Sequence, residues 1–316
     1  MRTPLTSAAL AAGLLLLAGC GTQTATTPGS RTAVHCVVPD PARDEAAGQG
    51  VRITGVTGGG TPECPGSSRN LQVHYEVAND GPQERTYAVV VELRNAAGEV
   101  LANVHGTVPD VAPGATVQAS VDGSVDGSGT SAASEVTRVR LEQVRRVPAA
   151  EAPAAAGPCP ASGIRVTADR GDAAMGLRVV GLHLTNCSTK PYTLDGYPAV
   201  TPLDEDWKTP STVTVLHGTG DITTLPDFDA PPRRLTLAPG ASATSGLVWR
   251  NTVTNGTAVD APYARVVARP GASPVMLTPE LDLGTTGELG VKPWTKDAGR
   301  PSPSTPPVSR PSAWKS

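Results

Sequence analysis

The sequence predicts an all-β protein, with two antiparallel β-sandwich domains in tandem between an export signal and a disordered tail. Three observations carry this. The chain holds 34 glycines and 31 prolines among 316 residues, well above the usual combined share of about 12%. Gly and Pro are the poorest helix formers, so helical bundles and coiled coils are disfavoured. Apolar residues alternate with polar ones over strand-length runs, and no stretch shows a convincing helical period. Clusters of Gly, Pro, Asn and Asp separate those runs, as in sandwiches with short turns.

Residues 1–19 read as a signal peptide. Arg2 supplies a thin positive start, and Ala8 to Ala18 is an apolar run containing Leu14-Leu15-Leu16-Leu17. As a helix, this run reaches only about half of the roughly 30 Å hydrocarbon core of a bilayer, so it suits a secretory core better than a membrane span. Leu17-Ala18-Gly19-Cys20 follows. It resembles the lipobox of bacterial lipoproteins. That resemblance implies a diacylglyceryl group on the Cys20 thiol, cleavage just before it, and a place on the outer face of the bacterial cytoplasmic membrane. Residues 20–35, rich in Thr, Gly, Ser and Pro, read as a flexible tether.

The first domain is expected over 36–147. Leu71, Val73, Tyr75 and Val77 alternate with Gln72, His74 and Glu76, the pattern of a half-buried strand. Asn79-Asp80-Gly81-Pro82 turns the chain into Tyr87, Val89, Val91 and Leu93. Asn95-Ala96-Ala97-Gly98 turns it again into Val100 to His105. Ala112-Pro113-Gly114-Ala115 precedes Thr116 to Val121, and Val136 to Val147 closes the domain. With Val51 to Val56 this makes six or seven short strands, and the order of turns resembles Ig-like modules. Residues 148–158, with alanines broken by prolines, read as an extended linker.

The second domain is expected over 159–294. Its predicted strands are Ile164 to Ala168, Leu177 to Thr185, Ala199 to Leu203, Val213 to His217, Leu235 to Leu237, Ala243 to Arg250, Tyr263 to Arg269 and Leu289 to Trp294. Four elements stand out: Leu184-Thr185-Asn186, Tyr192-Thr193-Leu194-Asp195-Gly196-Tyr197-Pro198, Leu237-Ala238-Pro239-Gly240 and Leu247-Val248-Trp249. Together they resemble a domain of unknown function found in actinobacterial secreted proteins and lipoproteins, of which Leu-x-Gly-Tyr-Pro is the most specific mark. The resemblance implies a β-sandwich and an envelope location, and no activity. The chain departs from it at Tyr192, where the family commonly has a cysteine; Cys187 lies five residues earlier. Both domains also share an Asn after a Leu-x-Val strand and an Ala-Pro-Gly-Ala turn. A duplication and convergent turn chemistry each explain that. Residues 295–316 are Pro- and Ser-rich and read as a disordered tail. Its excess of basic residues suits either plain solvation or contact with anionic polymers.

Five cysteines are present. If lipidation uses Cys20, then Cys36, Cys64, Cys159 and Cys187 remain, an even number suited to an exported protein. Four cysteines allow three pairings. The nearest-neighbour one, Cys36 with Cys64 and Cys159 with Cys187, puts one disulfide in each domain. Free thiols or a metal site are the rivals, but no Cys-x-x-Cys or paired His spacing supports a metal.

The chain carries little recognisable chemistry. Gly-x-Ser-x-Gly, His-Glu-x-x-His, a phosphate loop and a dinucleotide fingerprint are all missing from the sequence. No catalytic residue, cofactor or metal is therefore assigned. A formal net charge of −3 spread over 316 residues gives no footprint for nucleic acid. Asp204-Glu205-Asp206 suits a plain exposed turn, or a Ca²⁺ site if oxygen ligands come from elsewhere. His183 reads as a strand histidine. Trp249 and Tyr263 read as core. Tyr192, Tyr197 and Trp207, beside Gly, Pro and acidic loop residues, are the candidate binding residues. The expectation is a lipid-anchored, non-catalytic binding or scaffolding module, partnered by the membrane and by an envelope polymer or membrane protein. The alternatives are an accessory or sensor subunit of a membrane complex, or a cryptic cell-wall hydrolase.

Overall fold

The computed structural model describes residues 40–41, 49–57, 71–123, 136–154 and 159–297. The expected signal, lipobox and tether, Cys36, Cys64 and most of the expected tail lie outside these residues. The described residues hold strands and short 3-10 turns, among them Ala149–Glu151, and no α-helix.

The first sandwich packs two sheets. β2 (Val51–Thr57), β3 (Leu71–Ala78) and β6 (Thr116–Gly123) form one, with β3 in the middle. The other has the order β1-β7-β4-β5, from β1 (Asp40–Pro41), β4 (Arg85–Arg94), β5 (Val100–Val111) and β7 (Arg138–Pro148). All pairings are antiparallel except β1 with β7. The predicted apolar faces meet here: Leu71, Val73, Tyr75 and Val77 pack with Tyr87, Val89, Val91 and Leu93 in one buried cluster. Tyr75 reaches across to β5, where a Cβ on Gly106 would stand 2.3 Å from its Oη. β5 runs six residues beyond the expected strand and includes Pro109. It lies at the sheet edge, where a missing N–H costs no ladder bond.

The second sandwich has a larger main sheet in the order β13-β20-β15-β10-β8. These are β8 (Ile164–Ala168), β10 (Leu177–Asn186), β13 (Thr214–His217), β15 (Ser242–Arg250) and β20 (Glu288–Val291). Short β9 (Asp172–Ala174) pairs with β10, and β21 (Thr295–Lys296) pairs with β15. The opposite layer comprises β11 (Tyr192–Asp195) with β14 (Arg234–Leu237), and β12 (Ala199–Leu203) with β17 (Tyr263–Val267) and β18 (Val275–Leu277). β16 (Asp260–Ala261) and β19 (Leu281–Asp282) form a small ladder. Leu182, Leu184, Leu247, Trp249, Leu289 and Trp294 are among the residues of its core. The Cys159–Cys187 disulfide, with Cα atoms 5.7 Å apart, ties the start of this unit to the end of β10.

The outer face of the main sheet is partly roofed by residues 218–229. Phe228 lies over Gly246, where a Cβ would come within 2.9 Å of its ring, and Gly290 lies under the backbone of Gly218. Phe228, Ile222 and Val248 form a separate small apolar cluster there. Asp229 anchors the roof by accepting from Thr219 N–H at 2.8 Å and from its hydroxyl at 2.7 Å.

The two sandwiches share a core topology. β3 is flanked by β2 and β6 as β10 is by β8 and β15. β4 pairs with β5 as β11 pairs with β14, and with β7 as β12 pairs with β17. The shared Asn sits at the same node in both. Asn79 Nδ2 donates to Gln83 O and Val111 O, both at 2.8 Å. Asn186 Nδ2 donates to Lys190 O at 2.8 Å and Leu237 O at 3.0 Å. Each Asn N–H donates to the last Ala of its Ala-Pro-Gly-Ala turn, and each turn Gly N–H donates back to the Asn carbonyl at 2.7 Å. Each Oδ1 accepts from the N–H two residues on, of Gly81 or Ser188.

Candidate functional site

The junction between the sandwiches is built around three arginines. Arg145, near the end of β7, has a side chain only 13% exposed. Its Nε and Nη2 hold the Glu280 carboxylate at 2.7 and 2.5 Å, and Nη1 reaches Glu205 Oε1 at 3.1 Å. Burial opposes its charge, but the bonds and charges of Glu280 and Glu205 outweigh that and raise its pKa. Arg265 on β17 grips Glu151 in the same two-pronged way, at 2.7 and 2.6 Å. That hydrogen bond raises the Arg265 pKa. Arg85, at the start of β4, lies over the Trp207 ring 5.1 Å from its centroid. Between these contacts Val147 packs with Leu203, Tyr263 and Met276. Tyr263 Oη accepts from Arg146 N–H at 3.4 Å, and burial raises its pKa.

This geometry corrects the first part of the expected spacer; residues 155–158 lie outside the described residues. Pro148 ends β7, and the next three residues form the 3-10 turn. Glu151 and Ala152 then dock on the second sandwich. Alanine suits a tight turn, and the apolar junction offsets the cost of ordering it.

A cleft of about 550 Å³ opens beside Arg145. Asp204, Glu205, Asp206, Asp260, Glu280 and Asp282 line it. Most of these carboxylates already have partners. Asp204 Oδ1 accepts from the N–H groups of Asp206 and Lys208, both at 2.9 Å, so it closes its own turn. Asp282 accepts from Trp249 Nε1 at 2.7 Å and from Asn251 Nδ2 at 3.0 Å. Among the described residues no group of His, Cys, Asp or Glu could hold a metal ion. Asp204 closes the turn, and Glu205 braces the junction through Arg145.

The three candidate aromatics occupy three different surroundings. Trp207 belongs to the junction, half-buried, with a left-handed φ of 62°. Tyr192 lies on β11 at a cleft of about 500 Å³ lined largely by small residues, including Ala149, Ala152 and Ala272. The Arg269 guanidinium covers its ring at 4.2 Å and donates to Thr193 O at 3.2 Å. Burial raises the Tyr192 pKa, and Arg269 opposes the rise. Tyr197 stacks flat on His217, with centroids 4.0 Å apart and planes 2° from parallel. His217 is exposed at the end of edge strand β13. Tyr197 is itself half-buried against the core, and its stack with the exposed His217 lies apart from the junction.

His183 is half-exposed, 3.4 Å from Asp169 Oδ2. Its cross-strand neighbour is Thr244, whose hydroxyl lies 3.1 Å from that of Thr295. Ser245 is buried and donates to Lys292 O. Trp249 and Tyr263 are buried as expected, Trp249 in the core and Tyr263 at the junction. Sequence reasoning missed the junction residues Arg145, Glu280, Arg265 and Glu151. Their partners stand more than 100 positions apart, and nothing local marks them.

The described structure is thus a pair of β-sandwiches with a shared core topology, locked together by ion pairs and a small apolar contact. Residues 159–295, the second sandwich from its disulfide onward, match the family described as Domain of unknown function (DUF4232). No curated protein matches the chain.

Proposed function

We propose that this protein is a lipid-anchored, non-catalytic module of the cell envelope, held at the outer face of the cytoplasmic membrane. One observation carries the reading: an apolar signal core runs directly into Leu17-Ala18-Gly19-Cys20, followed by a polar tether. The junction supports a scaffolding or binding role. Bidentate ion pairs at Arg145 and Arg265 favour a stiff two-sandwich arm over two freely tumbling domains. On that arm the Tyr197–His217 stack is the recognition surface, offered to an envelope polymer or a membrane protein.

Two experiments test this. Cys20→Ala abolishes metabolic lipid labelling and releases the protein from membranes; a variant still fully membrane-bound without label sinks the anchor. Tyr197→Ala with His217→Ala leaves the junction untouched. Loss of envelope association in a lipid-free chain, at unchanged Tm, supports the stack as the binding surface; unchanged association removes it.

A further inference from the structure

The shared core topology exposes a difference between the two sandwiches. In the second, β15 has neighbours on both sides: β10 on one, and β20 and β21 on the other. Its inward residues Ala243, Ser245 and Leu247 are at most 4% exposed. In the first, β6 occupies the equivalent place, because Ala115 and Ala241 accept the same Asn N–H bond. Yet β6 pairs with β3 alone among the described residues, and its other side is a sheet edge. Its inward Val117, Ala119 and Val121 pack against the core but are only partly buried.

Among the described residues this edge lacks most of the usual sequence guards, although β5 of the facing sheet passes close to it. β6 is eight residues long, and its register with β3 runs without a bulge. It contains no Lys, Arg or Pro, and its one charge, Asp122, already accepts from Gln72 Nε2 at 2.9 Å. Long regular edges of this kind are templates for a further strand.

We propose that β6 pairs antiparallel with β6 of a second copy of this chain, with the two-fold axis passing through Ala119. Hydrogen-bond phase supports this register. Asn79 N–H donates to Ala115 O, so with period two Val117, Ala119 and Val121 turn their backbone groups toward β3. Those of Thr116, Gln118, Ser120 and Asp122 point to the open side. The two-fold at Ala119 sets Gln118 opposite Ser120 and Thr116 opposite Asp122, all outward-pointing, for about eight backbone hydrogen bonds. Between them Val117 meets Val121 of the second copy, and Ala119 meets Ala119, in the closer non-hydrogen-bonded pairs. No charge opposes a like charge. The strand is self-complementary, as an isologous interface requires. The dimer joins two three-stranded sheets into one and covers the apolar seam that β20 and β21 cover in the second sandwich.

The test uses the full chain carrying Cys20→Ser, so that lipid does not affect the mass. Light scattering is expected to show twice the monomer mass at about 0.1 mM or below. Ser120→Pro removes only an outward N–H and is expected to return the chain to monomer with an unchanged circular dichroism spectrum. Ala119→Cys is expected to form a reducible crosslinked dimer at least tenfold faster than Gln118→Cys, since only residue 119 faces itself across the axis. The crosslinking comparison decides the matter if Ser120→Pro fails to fold. A monomer throughout, a dimer indifferent to Ser120→Pro, or equal crosslinking at 118 and 119 overturns the proposal. None of these readings depends on lipid anchoring or on Tyr197.

Discussion

Replacing Asn186 by Ala cuts the node that ties β10 to the Ala-Pro-Gly-Ala turn. The side chain is fully buried. It donates to Leu237 O at 3.0 Å and Lys190 O at 2.8 Å, and accepts from Ser188 N–H at 3.2 Å and Ser188 Oγ at 2.7 Å. Each typical bond contributes about 0.5–1.5 kcal/mol, and a buried carbonyl left without a donor costs about 1–3 kcal/mol. Leu237 O is the buried one, so it sets the upper end. The total comes to about 3–5 kcal/mol, equivalent to a fall in Tm of roughly 10–15 °C for a unit of this size. Differential scanning calorimetry of the full chain measures it. Asn186→Asp keeps the acceptor side and loses both donors while facing two carbonyl oxygens. It is expected to be at least as damaging. A fall below about 2 °C for the Ala variant refutes the reasoning, because water or a shifted backbone would then be satisfying the carbonyls. Asn79→Ala tests the same node in the first sandwich, where the Tyr87 hydroxyl adds a longer contact at 3.4 Å.

Gly106→Ala places a methyl 2.3 Å from Tyr75 Oη and is expected to cost about 1–3 kcal/mol by overpacking, read as a lower urea midpoint; Tyr75→Phe in the same chain should recover part of it. Arg145→Ala leaves Glu280 and Glu205 facing each other across the junction. Both carboxylates are more than a third exposed, so the loss is about 1–2 kcal/mol, and calorimetry should show the two units melting further apart. The Thr219 N–H and hydroxyl lower the Asp229 pKa. A depressed folded pKa contributes stability above the unfolded value of about 3.9, lost as pH falls through the lower folded value. Asp229→Asn should therefore flatten the acid limb of stability, while an unchanged limb would remove Asp229 as its cause. In the same window hydrogen exchange around residues 218–229 should rise.

Much of the fold is legible in the sequence because strands and tight turns are local. The alternation from Leu71 to Val77 sets which side chains point inward, whatever they meet. Asn79-Asp80-Gly81-Pro82 and Ala238-Pro239-Gly240 end strands through their own backbone preferences. Of the expected disulfides, Cys159 with Cys187 is present, and the spacing alone suggested it; Cys36 and Cys64 lie outside the described residues.

What only the tertiary structure decided is where separate pieces of chain meet. Trp207 reads as a loop aromatic free for a ligand, but it packs against a junction that includes Val147 and Arg85 from the first sandwich. The alanines after Pro148 read as a spacer until Arg265 takes hold of Glu151. Arg145 and Glu280 stand 135 positions apart, and no periodicity marks either as the other's partner. The shared Asn and Ala-Pro-Gly-Ala turn could be seen in the sequence, but not that both serve one node in a shared core topology. Nor could the sequence tell that β15 has a strand on its far side while β6 pairs with β3 alone among the described residues. Strand patterns encode the two faces of a sheet. Neighbours along its edge depend on where distant segments return, and only packing of the whole chain decides that.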